Sequence, residues 1–77
     1  MRIHVYAGLK EYFLPEFDLA EEVGNVDQLK ACLLAINAGA AKLLAACRFA
    51  VEEGFIDNSY QFKAHETVIV VPPSSGG

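Results

Sequence analysis

The sequence predicts an α+β roll, a mixed sheet with one main helix packed on one face. Three observations predict it. Short stretches of strand character stand at both ends of the chain, and one apolar stripe of helical period lies between them. The closing run Val68-Ile69-Val70-Val71 is β-branched throughout, as strands favour. The 77 residues suit a single domain. A chain this short buries only roughly 60% of the surface it exposes when unfolded. Its hydrophobic share of 53% compensates for that thin core.

The elements follow in order. Residues 2–7 alternate, with Ile3 and Val5 on one face and Arg2, His4 and Tyr6 on the other, which predicts a half-buried strand. Gly8 to Pro15 is a connection carrying Leu9, Tyr12, Phe13 and Leu14. In residues 16–20, Phe17 and Leu19 alternate with Glu16, Asp18 and Ala20, giving a second strand able to pair with the first. Asn25 offers an N-cap and Gln28 stands three residues later, as in a capping box. Behind them Val26, Leu29, Cys32, Leu33 and Ile36 form one stripe of a helix over 26–37. Asn37-Ala38-Gly39 stops it, and Ala40 to Ala46 adds one or two further turns.

Residues 47–51 return to strand character, Glu52-Glu53-Gly54 is a turn, and 55–57 is a short strand. Asp57-Asn58-Ser59 bends the chain, and Phe62 plugs the core from a loop. Residues 67–71 form the last strand, halted by Pro72-Pro73. The domain thus spans 1–71 and the tail 72–77. The first and last strands are the natural central pair, parallel and adjacent. The last run is apolar on both faces, which fits a strand covered on both sides. One helix covers only one side. Tyr6 and the outward half of Val68, Ile69, Val70 and Val71 are therefore expected to form a partner face.

Composition excludes several functions. The net charge is −4, with ten acidic and six basic residues and no basic stripe, which argues against nucleic-acid binding. No run approaches the ~20 apolar residues of a membrane span, and no signal peptide stands at the start, so the expected location is cytoplasmic. Cys32 and Cys47 form no metal or redox motif. They read as small buried hydrophobes in a reducing compartment, the alternative being a reactive thiol. His4 and His65 alone are too few for a metal site. Glu52-Glu53 reads as a solvated turn rather than an acid/base pair, because adjacent strand residues point apart. Glu21-Glu22 is a surface pair. No catalytic constellation emerges, which points to a carrier or binding module.

The tail has its own physical logic. Prolines fix φ and hold the chain extended, and only small residues follow them. Six extended residues reach about 20 Å, a slender tip able to enter a narrow channel. Two glycines allow a partner's backbone and a nucleotide to approach a carboxylate at Gly77 closely.

With that tail after the β-branched run, the chain resembles the MoaD family, the sulfur-carrier subunits of molybdopterin synthase. These are ubiquitin-like β-grasp proteins of the MoaD/ThiS superfamily. The resemblance spans essentially the whole length. It is strongest over 62–77, weaker over the capped helix at 25–36 and loosest in the first strand. Phe62 stands for the family's usual Leu, Val68-Ile69-Val70-Val71 for its last strand, and Pro72, Pro73, Ser75, Gly76 and Gly77 for its tail. Three departures occur. His65-Glu66-Thr67 replaces a Gly-Asp-Glu turn, Glu52 replaces an Asn, and Ser74 stands where Val is common. Histidine tolerates positive φ better than most residues, so the first is compatible with the same turn.

The resemblance implies a carrier with no catalysis and no bound cofactor of its own. An adenylating partner (MoeB-like) would use ATP to convert the Gly77 carboxylate to an acyl-adenylate. A sulfur donor would then displace AMP to leave a thiocarboxylate. The large synthase subunit (MoaE-like) would receive the tail, with Pro72, Pro73, Ser75, Gly76 and Gly77 in its channel, and catalyse sulfur transfer to the pterin precursor in molybdenum cofactor biosynthesis. Two other readings stay open: a sulfur carrier for thiamine or cysteine synthesis, and a ubiquitin-like protein modifier. Pro72-Pro73 argues against the thiamine carrier, which usually lacks such a pair.

Overall fold

Alternation decides which way each strand faces. In a computed structural model of the protein, which describes residues 1–73, strand β1 (Arg2–Val5) buries Ile3 and Val5 and turns Arg2 outward. It pairs antiparallel with β2 (Glu16–Asp18), placing Ile3 opposite Phe17. On its other side it lies parallel to β5 (Thr67–Val71), with Ile3 opposite Val68 and Val5 opposite Val70. Strand β3 (Arg48–Val51) runs antiparallel to β5, and β4 (Gly54–Ile56) closes the sheet. The result is a mixed five-stranded sheet of order β2-β1-β5-β3-β4, with the parallel pair that the sequence predicted and β5 in the middle.

Two helices lie on this sheet, α1 (Val26–Ile36) and the shorter α2 (Ala41–Ala46). The start of α1 is fixed by side chains. The Gln28 N–H donates to Asn25 Oδ1 at 2.9 Å, and Gln28 Oε1 accepts from the Gly24 N–H at 2.6 Å. The reciprocal bond of the expected capping box thus lands one residue earlier, on Gly24. Asn25→Ala should cost ~1 kcal/mol, read as a lower urea midpoint at unchanged m-value. A loss under about 0.3 kcal/mol would show that the cap contributes little here.

At the far end, Asn37 adopts an extended conformation. Its side-chain oxygen accepts from the Gly39 N–H and its amide nitrogen donates to the Tyr12 carbonyl. A 3-10 turn at Ala38–Ala40 then leads into α2.

The core sits between the helices and one sheet face. Val26, Leu29 and Leu33 of α1 and Leu44 of α2 meet Ile3, Val5, Phe49, Val51, Val68 and Val70. Two expectations are corrected by this packing. Val68 and Val70, assigned to the partner face, have no exposed surface and belong to the core, because β5 turns its even-numbered residues toward the helices. Ile36, assigned to the apolar stripe, is 54% exposed and stays out of the core, which α1 enters through Val26, Leu29 and Leu33.

Strand limits also moved. Strand β1 stops at Val5 instead of residue 7, because Ala7 takes φ 52° and swings the chain into a 3-10 turn (Ala7–Glu11) that buries Leu9. Regular pairing in β2 ends at Asp18, although the Leu19 N–H still donates to the Met1 carbonyl at 2.8 Å. Cys47 closes α2 rather than opening β3. Strand β4 covers 54–56 instead of 55–57, because Gly54, at φ 133°, already pairs with Val51.

The long connection before β5 is held by one carboxylate. Tyr60 Oη donates to Glu66 Oε2 at 2.6 Å, and the Lys63 N–H donates to Glu66 Oε1 at 2.8 Å. Beside them His65 takes φ 60°, as its place in the turn suggested. The Phe62 N–H donates to the Gly24 carbonyl, tying the loop to the start of α1. The bond to Glu66 pushes the Tyr60 phenol up to about 12.

A phenol whose folded pKa is raised contributes stability in full below its unfolded pKa near 10, and the contribution fades as pH rises through about 12. The stability difference between wild type and Tyr60→Phe should therefore be flat below pH ~10 and shrink above it. A difference that grew over that window in urea titrations would contradict the clasp.

Candidate functional site

The second face of the sheet carries no helix among the described residues. Register fixes what stands on it. One row crosses all five strands, Glu16–His4–Ile69–Ala50–Phe55. Below it Asp18, Arg2 and Thr67 stand side by side. Above it Val71 lies beside Arg48, and Tyr6 follows the end of β1.

The face is chemically graded from one edge to the other. At the β2 edge, Arg2 is clasped by Glu16 at 2.8 Å and Asp18 at 3.1 Å, and His4 Nε2 stands 3.8 Å from Glu16. The hydrogen bond from Arg2, reinforced by His4, holds the Glu16 carboxyl below its ordinary range. The same bond to Glu16, with a second to Asp18, pushes the guanidinium of Arg2 up. Arg2 and Glu16 therefore both stay charged at neutral pH. The middle of the face is apolar, with Ile69 and Val71 half-buried. At the β4 edge, Phe55 is 56% exposed and the Arg48 guanidinium lies 3.7 Å from its ring centroid, a stacked cation–π pair. Tyr6 is 47% exposed at the upper rim.

Of the residues that the sequence assigned to a partner face, Tyr6, Ile69 and Val71 come together here, while Val68 and Val70 lie underneath in the core. Phe55 was missed, as was Arg48. A signal existed for both. The two-residue turn Glu52-Glu53 pairs Val51 with Gly54, which forces Phe55 opposite Ala50 and onto the same side as Ile69.

Strand β5 leads directly into the tail root. Pro72 is half-buried at the end of the sheet and Pro73 is exposed. The remaining tail positions assigned from the sequence, Ser75, Gly76 and Gly77, lie outside the described residues.

The cysteines differ from each other. Cys47 is buried, with its thiol donating to the Leu43 carbonyl at 3.1 Å. Cys32 is only partly buried, a correction to the expected stripe, and its thiol donates to Glu21 at 3.5 Å. Burial pushes both thiols up. Glu21 adds to the effect at Cys32, and Lys30 partly offsets it at Cys47. Neither environment favours the thiolate that a nucleophile needs.

His4 stands on the open face, whereas His65 lines an open depression of about 300 Å³ with Met1, Leu19 and Phe62. Among the described residues, no group of three or more His, Cys, Asp or Glu is placed to hold a metal ion. Among them, too, no helix is long and apolar enough to cross a membrane. Compared with known proteins, the sequence matches no protein-family model, and no curated protein matches it.

Proposed function

We propose that this chain is a β-grasp sulfur carrier acting in the cytoplasm with molybdopterin synthase. Gly77 is its reactive position, adenylated by a MoeB-like partner at the expense of ATP and then converted to a thiocarboxylate. A MoaE-like large subunit takes the tail and performs the transfer, so this chain is a non-catalytic subunit. The observation that carries the reading is the double role of β5. It contributes Ile69 and Val71 to the open face and runs on into Pro72-Pro73. A partner seated on that face therefore receives the tail in a fixed direction. The Pro-Pro-x-Ser-Gly-Gly likeness and the raised thiols of Cys32 and Cys47 support placing the sulfur at the chain end rather than on a cysteine.

The test is intact mass spectrometry after incubation with ATP, the adenylating partner and a sulfur donor. One oxygen-to-sulfur exchange confined to the peptide containing Gly77 is the expected result. A stable isopeptide link to lysines of other proteins, with no thiocarboxylate, would favour a protein modifier instead. Ile69→Glu, at the centre of the face, should weaken both adenylation and assembly with the large subunit at least tenfold, about 1.4 kcal/mol. The amide spectrum should stay that of the folded domain. Unchanged affinity for both partners would remove the face from the mechanism.

A further inference from the structure

The open face is self-complementary about its middle strand. We propose that two copies of this chain associate through it, face to face, around a two-fold axis parallel to β5. The sheet order places β5 third of five, so such an axis exchanges β2 with β4 and β1 with β3. The row Glu16–His4–Ile69–Ala50–Phe55 is then laid against its own reverse. Ile69 meets Ile69 of the second copy on the axis. His4 stands over the small Ala50, which leaves room for it. The Glu16 carboxylate reaches Phe55 of the second copy, on whose ring Arg48 lies. Each copy thus sets an acidic edge against the other's cationic aromatic edge, and does so twice, as an isologous interface requires.

The other two-fold arrangement, with the axis across the strands, fails on the same residues. It opposes Glu16 to Glu16, and it sets Ala50 on Ala50 with a gap between the sheets. Charge and side-chain size therefore select one geometry. Packed sheets keep their strands within about 30° of each other and ~10 Å apart, which this axis allows.

The face is small. Five strands at ~4.8 Å make it about 24 Å wide, and strands this short, with three outward positions on β5 and fewer on the others, leave it short of the ~800 Å² per partner of a standard interface. Association is accordingly weak and concentration-dependent. Both copies send Pro72 out at the same end. The pairing covers the surface that the sulfur-carrier reading assigns to partners, yet it stands independently of that reading.

Sedimentation velocity on the full chain tests it, from about 10 µM to about 1 mM, the range in which a small interface associates. The weight-average mass should rise from one chain toward two. Arg48→Glu and Glu16→Lys each alter an exposed position and should raise the midpoint concentration at least tenfold while the amide spectrum stays folded. An equimolar mixture of the two variants should regain association, because the reversed charges pair across the interface. Concentration-dependent amide shifts in the wild type should centre on His4, Ile69, Ala50 and Phe55. A one-chain mass throughout would overturn the proposal. So would either variant associating like wild type, a mixture that fails to associate, or shifts centred on the separate exposed residues Tyr12, Leu14 and Ile36.

Discussion

Deleting Gly76 and Gly77 is expected to abolish sulfur loading completely while leaving the domain folded. Among the described residues the core runs from Ile3 to Val70, so the deletion takes away none of its members. The stability change should stay within ~0.5 kcal/mol, the range of surface changes. Activity has no such tolerance. Each extended residue advances the chain by about 3.3 Å, so removing Gly77 or adding one residue after it carries the acyl carbon beyond reach of the partner's nucleotide. Well-positioned reactants owe as much as 7–11 kcal/mol of barrier lowering to that placement. Gly76→Val should fail for a different reason, because a β-branched side chain blocks the close backbone approach that glycine allows. Intact-mass analysis after ATP-dependent loading separates these outcomes from unfolding. A chain without Gly76 and Gly77 that still supports molybdopterin formation would end the sulfur-carrier account.

Leu33→Ala should bring the domain close to unfolding. Leu33 has no exposed surface and sits on α1 amid the core cluster that joins both helices to the sheet. Truncating such a leucine costs about 2.7–5 kcal/mol, the spread depending on how far the cavity collapses. A domain of this length has roughly 4–12 kcal/mol in total at 0.05–0.15 kcal/mol per residue. The substitution therefore removes a large part of the margin. It should lower the melting temperature by more than about 10 °C. The exposed Ile36, only three residues on along the helix, should tolerate alanine with a change near ~0.5 kcal/mol. Equal costs at the two positions, measured by urea unfolding, would show that α1 is not docked by the face described.

These two expectations draw on different kinds of information. The tail logic needs only the order of residues, since proline geometry and glycine freedom are local properties. The contrast between Leu33 and Ile36 is not local. Both lie on the helical stripe read from the sequence, and only the position of the sheet beneath α1 separates them.

Most of what short-range chemistry controls is legible in the order of residues. Asn25 and Gln28 marked the start of α1, and Asn37 and Gly39 its end. Alternation turned Ile3 and Val5 inward, and the turns at Glu52-Glu53 and Asp57-Asn58-Ser59 carried their own polar signals. Tertiary structure alone decided which half of β5 faces out. Val68, Ile69, Val70 and Val71 are all β-branched, so periodicity along the strand is silent, and only pairing with Ile3 and Val5 settles the matter. It also decided that β1 stops early, where burying Leu9 outweighs extending the sheet past Ala7. The clasp of Arg2 by Glu16 and Asp18, and the stacking of Arg48 on Phe55, exist only because separate strands come into register. Local propensity writes the elements into the chain, but the facing of an element depends on long-range partners that no window of neighbouring residues contains.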